Sequence, residues 1–293
     1  MRITAILIAA LVILFSGSAH GANDDNARDE FATSIVLGEN TSVGGRTWNV
    51  VNKFGQNPDI DTAADEDVWD CPELGADALY PFLTTASTLY VSSDSDADAA
   101  ATTIDVVGLD ANWDLQTETV TLGSDAGFGT TSVIVGAASD WIRVTSVRNS
   151  GGTATAGNVY VHDGADAGGD GIPDDLSDVR GCFLIAHQRS EMSIYSVPRN
   201  YVGIIRNWTY GITPASTGAT KAIDFHMRVR EFGGVFQVRN VRGLLTTGTS
   251  LVVEATPLGI MLPAKSDIAI RGLNASANDV NAFWSFDVVT VPR

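Results

Sequence analysis

Residues 102–108 read TTIDVVG, and residues 141–147 read WIRVTSV. In both, apolar and polar side chains alternate over most of the length. That is the period of a strand with one face buried and one face wet. Glu118–Leu122 (ETVTL) and Thr131–Val135 (TSVIV) repeat the pattern, with Gly-containing turns between them. Earlier in the chain, Thr47–Val51 and Leu79–Val91 carry β-formers, and Asn158–Val161 adds a short strand. After residue 178 the same period resumes in Gly181–His187, Met192–Val197, Tyr201–Gly211, Ala222–Glu231, Val235–Leu245, Ile268–Leu273 and Phe283–Val291. No segment after Thr33 sustains a 3.6-residue apolar stripe. Short strands at this spacing predict an all-β chain of sandwich or jelly-roll-like domains.

The 293 residues are enough for two cores, and the break between them is expected at Asp163–Asp178, DGADAGGDGIPDDLSD. The expected organisation is therefore a signal-like segment at 1–22 and a polar arm at 23–44 with a helix-like stretch at Asp24–Thr33. An acidic sandwich at 45–162, an Asp/Gly-rich linker at 163–178 and an Arg-richer sandwich at 179–293 follow. Asn57–Cys71, NPDIDTAADEDVWDC, reads as an irregular acidic loop, and Asp65-Glu66-Asp67 within it as a solvated face. Arg2, the uncharged run Ile3–Phe15 and the small residues Ser16–Ala22 have the order of a secretory signal. An uncleaved anchor is the alternative, although the run is shorter than the roughly 20 residues a spanning helix needs.

Charge is lopsided. The formal net charge is −17, with 28 acidic and 7 basic residues in Met1–Arg180 against 7 acidic and 11 basic in Gly181–Arg293. The summed field would repel a phosphate polymer, so a nucleic-acid partner is not expected. Two regions of opposite sign point to packing against a partner or against further copies of the chain.

Several stretches resemble structural proteins of tailed-phage virions, of the kind common in marine phage genomes. They are Phe54–Asp70, Leu83–Leu122 with its GLDxxW and ExVxL blocks, and Trp141–Gly157. In the second half they are His187–Ile212 (HQRSEMSIYSVPRNYVGIIRNWTYGI), Val229–Asn240 and Leu262–Gly272. The resemblance lies in the order of short blocks over most of Phe54–Gly272. It implies a β-rich component of the head, a fibre or a knob, acting in the virion or outside the cell. It implies no enzyme activity and no small-molecule substrate, and partners that are other virion proteins and further copies of the chain, with a homotrimer as the expected assembly. The signal-like N-terminus and the acidic 163–178 stretch depart from that family. A secreted bacterial surface module binding calcium or a glycan is the alternative.

The candidate sites are few. Aligned to a calcium loop, Asp166, Asp170 and Asp174 fill positions one, five and nine and Gly171 the sharp turn, whereas Gly168 and Ser177 stand where acidic ligands belong. Calcium is the one cofactor this suggests; otherwise none is expected. Asp94, Asp96 and Asp98 form a weaker acidic turn. Arg228 and Arg230 share one face of a strand and are expected to meet an acidic surface of a neighbouring copy, or else water. Cys71 and Cys182 either bridge the two halves or sit apart as small buried apolar residues. Trp113 and Trp208 read as core anchors. His162, His187 and His226 lie beside no nucleophile elbow, so no catalytic residue is assigned. Of the sequons at Asn40, Asn207 and Asn274, Asn207 lies inside an apolar strand, where a glycan would not fit.

Overall fold

The computed structural model describes residues 42–43, 46–61, 65–71, 79–136, 140–214, 220–273, 275–276 and 280–293. The signal-like segment, the helix-like stretch and the sequons at Asn40 and Asn274 lie outside these residues. The chain forms two compact units, Met1–Asn49 and Val50–Arg293. In the first, β1 (Ser42–Val43) and β2 (Arg46–Thr47) make an antiparallel pair with Ser42 opposite Thr47.

The second unit is all-β. Its first strands are β3 (Asn49–Ile60), β4 (Glu66–Asp67), β5 (Trp69–Asp70), β6 (Tyr90–Ser93), β7 (Thr103–Asp110), β8 (Leu115–Thr121) and β9 (Val133–Ile134). Then come β10 (Trp141–Asn149), β11 (Val159–His162), β12 (Val179–Phe183), β13 (Glu191–Met192) and β14 (Ile194–Ser196). The last are β15 (Tyr201–Pro214), β16 (Lys221–Arg230), β17 (Gln237–Thr246), β18 (Ser250–Leu262), β19 (Asp267–Leu273) and β20 (Val280–Pro292).

Two sandwiches result. In one, the sheet β10-β7-β8 faces the sheet β12-β11-β6-β9. The inward rows include Ile104 and Val106, Trp141, Val144 and Val147 from the first sheet, and Val91, Val159, Val161 and Phe183 from the second. In the other, β14-β19-β16-β17, with β4 added on β19, faces β18-β15-β20-β3. Strict alternation builds this core. On β16 Ile223, Phe225, Met227 and Val229 are buried, and on β20 Ala282, Trp284, Phe286 and Val288 are buried, with half-buried residues between. A third apolar cluster, with Trp69, Cys71, Tyr80, Tyr160, Cys182 and Met192 among its members, joins the two.

The sheets do not divide the chain where the sequence suggests. β3 to β5 belong with the C-terminal strands: β3 is an edge of the β20 sheet, and Asp67 of β4 is opposite Arg271 of β19. Residues 163–178 are not a linker between sandwiches. They are the loop between β11 and β12, antiparallel neighbours in one sheet with Val159 opposite Phe183. All seven strands of the first sandwich, β6 to β12, are thus an insertion between β5 and β13, two strands that pair with each other.

Two further expectations need correction. Asn57–Ile60 continues a regular strand instead of opening a loop. Pro58 is tolerated because β3 is at a sheet edge, where a missing N–H breaks no ladder. Glu66 and Asp67 are not solvated; each is 2% exposed. They stay buried because partners meet them. Asn57 Nδ2 and the Asp61 N–H donate to Glu66, and Arg271 and the Tyr80 N–H donate to Asp67.

Candidate functional site

The region where the two sandwiches meet holds most of the chain's concentrated chemistry. Its hub is Asp267, the first residue of β19, only 2% exposed. The ladder puts Ser196 of β14 on one side of it and Arg230 of β16 on the other. Ser196 Oγ donates at 2.6 Å, and Arg230 donates from Nε at 3.0 Å and from a terminal nitrogen at 2.6 Å. From the other sandwich, Arg143 of β10 closes a two-pronged pair on the same carboxylate at 2.7 and 2.8 Å. Arg143 also donates to the carbonyls of Leu83 and Ile142. Aromatic faces cover both cations. Arg143 lies 4.7 Å from the Trp113 ring centre and 5.3 Å from that of Phe82, and Arg230 lies 4.9 Å from Phe82 and 4.7 Å from Phe236.

Trp113 has φ of 68°, a left-handed conformation that is costly for a bulky residue. The β7–β8 turn holds it there: the Asp110 carboxylate accepts the N–H groups of Asn112 and Asp114, each at 2.8 Å. The GLDxxW block is thus a turn that delivers an indole onto Arg143. Trp208 is a core residue, as expected, with its N–H donated to Glu254 at 2.7 Å.

Arg228 and Arg230 do share a face of β16, but that face is turned onto the protein's own chain. Arg230 is committed to Asp267 and the aromatic rings. Arg228 lies 5.2 Å from the Phe236 ring, and burial together with Arg271 pushes its guanidinium below its ordinary range. The acidic surface that Arg230 meets is internal, and no neighbouring copy is required. Other pairs also draw the oppositely charged halves together within one molecule: Arg271 with Asp67 at 2.9 Å and Arg199 with Asp114 at 2.6 Å.

Near this junction Cys71 and Cys182 are bonded, with their Cα atoms 5.6 Å apart. Asp70, the residue before Cys71, is grouped with His187 and Glu191. His187 Nδ1 is 3.2 Å from Glu191 Oε2. Burial first, and then the Glu191 charge, raise the Asp70 carboxyl to about 6. Burial likewise raises Glu191, against the opposing pull of His187 and Arg189.

The 163–178 loop arranges its carboxylates differently from a calcium loop. Asp166 accepts the N–H groups of Gly169 and Gly171, Asp170 that of Ile172, and Asp174 that of Ala167. Each side chain caps its own stretch of backbone, and Asp166, Asp170 and Asp174 do not come together as a group within ligand reach of one another. Gly171 fills the sharp-turn role in another sense. Its φ is 77°, and a Cβ there would strike the Ser93 carbonyl. Asp94 and Asp98 behave similarly. Asp94 accepts from the Asn158 backbone, and Asp98 from Ser93 and from the amides of Ala156 and Gly157.

A cavity of about 400 Å³ lies beside this loop, lined by Tyr90, Thr131, Ser132, Asp163, Asp166 and neighbouring backbone. His162 is buried behind it. Its Nδ1 is 2.9 Å from the Gly164 carbonyl and its Nε2 is 3.2 Å from Ser92 Oγ, and burial holds its ring below the ordinary imidazole range. Ser92 is fully buried and donates its proton to the Gly171 carbonyl at 2.8 Å, which removes it from any substrate.

No family model matches this chain, and no curated protein matches it. Among solved structures, the crystal structure of the infectious bursal disease virus VP2 subviral particle is similar at 12% identity and a TM-score of 0.20, over 89% of this chain and 76% of that one. The infectious bursal disease virus Gx strain structure gives 11% identity and a TM-score of 0.19, over 85% and 71%. Superpositions this loose carry no argument for fold or function.

Proposed function

We propose that this chain is a non-enzymatic structural component of a virus particle, acting by contact with copies of itself and with other particle proteins. The observation that supports it is the open side of the second sandwich. β17 and β18 are the outer strands of their two sheets and are joined by a three-residue turn. Their outward rows present Val241, Leu245, Leu251 and Val253, with Leu245 and Val253 more than 70% exposed. Long edge strands with apolar outward rows are templates for association.

The charges on these strands are spent within the chain, Arg239 on Glu231 at 2.9 Å and Arg242 on Glu254 at 2.8 Å. A chain of net charge −17 repels its own copies over most of its surface. An apolar face whose charges are already matched is where that repulsion is weakest and where burial gains most. A second copy is therefore the occupant we assign to this face, with closure at three copies as the expected assembly. The resemblance of the ordered sequence blocks to tailed-phage virion proteins supports the same reading.

Sedimentation velocity over a concentration series tests the association. The expected result is an oligomer that Leu245→Lys with Val253→Lys converts to a monomer of unchanged circular dichroism. A wild-type chain that stays monomeric at high concentration, and whose peptides are absent from purified particles, refutes the proposal.

A further inference from the structure

Two carboxylates face each other across the β5–β13 pair, with Asp70 directly opposite Glu191 in the register. Like charges in that relation destabilise a ladder. Here neither has been moved out to water: both residues are partly buried, and the Glu191 side chain is 12% exposed. Glu191 Oε2 is closed off from solvent and accepts no hydrogen bond among the described residues, with His187 Nδ1 3.2 Å away as its nearby basic group. The third member is His187, in the turn after β12, four residues before Glu191. One ligand atom from each of Asp70, His187 and Glu191 can be chosen so that all three lie within 4.8 Å of one another.

We propose that Asp70, His187 and Glu191 bind one divalent transition-metal ion of the zinc class. An ion held by all three must sit between the two facing carboxylates and cancel the repulsion that the ladder otherwise carries. The imidazole sets the class. Calcium and magnesium are satisfied by oxygen-only shells, whereas one nitrogen with two carboxylate oxygens suits zinc and its neighbours. Three protein ligands leave one tetrahedral position for water or for a donor from another molecule. The site is independent of the particle role. It lies where the inserted sandwich leaves and rejoins the chain, beside the Cys71–Cys182 bond, so the ion would act as a second clasp at that point.

The test is titration of the EDTA-stripped, dialysed full chain with Zn²⁺ alone by calorimetry. Co²⁺ binding, followed by visible absorption, reports the coordination. The expected result is one equivalent bound with micromolar or tighter affinity and a cobalt spectrum of four-coordinate intensity. Even the outer hydrogen-bond partners of metal ligands are worth about 10- to 100-fold in affinity, so His187→Ala and Asp70→Asn should each weaken binding about a hundredfold or more. His187→Gln, which keeps most of the side-chain bulk, replaces the alanine variant if that one unfolds. The combined Asp166→Asn, Asp170→Asn and Asp174→Asn variant should bind as the wild type does. No saturable binding overturns the proposal, as does unchanged affinity in His187→Gln, or calcium binding tighter than zinc.

Discussion

Replacing Asp267 by Asn should cost the protein about 3–5 kcal/mol, the usual penalty for removing one partner of a buried ion pair. The geometry explains why the full range applies. Asp267 accepts two hydrogen bonds from Arg143, two from Arg230 and one from Ser196, all between 2.6 and 3.0 Å. Asparagine keeps the shape but loses the charge, and it turns an NH₂ group toward donors. Arg143, 5% exposed, then keeps the Leu83 and Ile142 carbonyls, the faces of Trp113 and Phe82 and at most one neutral amide oxygen in place of the carboxylate. Arg230, 24% exposed, can rehydrate, so Arg230→Met should cost less than Asp267→Asn. With a urea slope of about 2 kcal/mol/M, the expected loss moves the midpoint down by about 2 M. Tryptophan fluorescence is the suitable signal, because Trp113 covers Arg143. Replacing the whole cluster, Asp267→Leu with Arg143→Met and Arg230→Met, should recover much of the loss, because no uncompensated charge remains. A midpoint for Asp267→Asn equivalent to less than about 1 kcal/mol would mean that water reaches Arg143, and the reasoning fails.

Two other perturbations read different parts of the same junction. Lys53 of β3 is buried and donates to the Thr145 carbonyl of β10, and burial lowers its ammonium from 10.5 to about 7. The unfolded chain holds that proton up to about 10.5, so stability rises with pH between about 7 and 10.5, and below 7 the whole penalty, about 5 kcal/mol, is present. Lys53→Met removes that penalty at the cost of one hydrogen bond of about 1 kcal/mol. The variant should therefore be more stable than wild type at pH 6 and lose that advantage by pH 10, as read by urea melts at both; a gap that does not change with pH would contradict this. Reducing the Cys71–Cys182 bond, which closes a 111-residue separation, should lower stability by about 4–5 kcal/mol by the loop-entropy estimate, read as the difference between urea midpoints with and without reductant; a shift of less than 1 kcal/mol would show that the apolar cluster alone holds the junction.

The strands with clean alternation were legible from the sequence, because the period of two is a local property. AIDFHMRVRE announces β16, and TTIDVVG announces β7. β18 was not, although it runs for 13 residues. Pro257 and Gly259 interrupt its pattern. The register shows why they are tolerated: Ile205 is opposite Ile260 and Asn207 is opposite Ala255, so the strand bulges between those points, and it lies at a sheet edge. The division into two domains was misplaced for a related reason. A Gly/Asp-rich stretch looks the same whether it links two domains or closes one hairpin, and only the pairing of β11 with β12 tells them apart.

The site was less legible than the fold, because its members are far apart in the chain. Asp65-Glu66-Asp67 looks like a solvated run until Arg271, 204 residues from Asp67, is placed against it. The Asp166–Asp174 spacing carries a motif, and it turned out to serve backbone amides. His187 and Glu191 carry only an i, i+4 spacing, and their third member, Asp70, is contributed by a strand from the other side of the insertion. The lopsided charge has the same origin. An acidic N-terminal part and an Arg-rich C-terminal part look like two surfaces awaiting partners. The chain meets part of that imbalance internally, through Arg271 on Asp67 and Arg199 on Asp114, whereas Arg143 on Asp267 pairs a base of the acidic part with an acid of the Arg-rich part. The opposite signs read from the sequence as surfaces for partners are thus met in part within the molecule, and the face proposed above for association lies apart from these pairs, along β17 and β18.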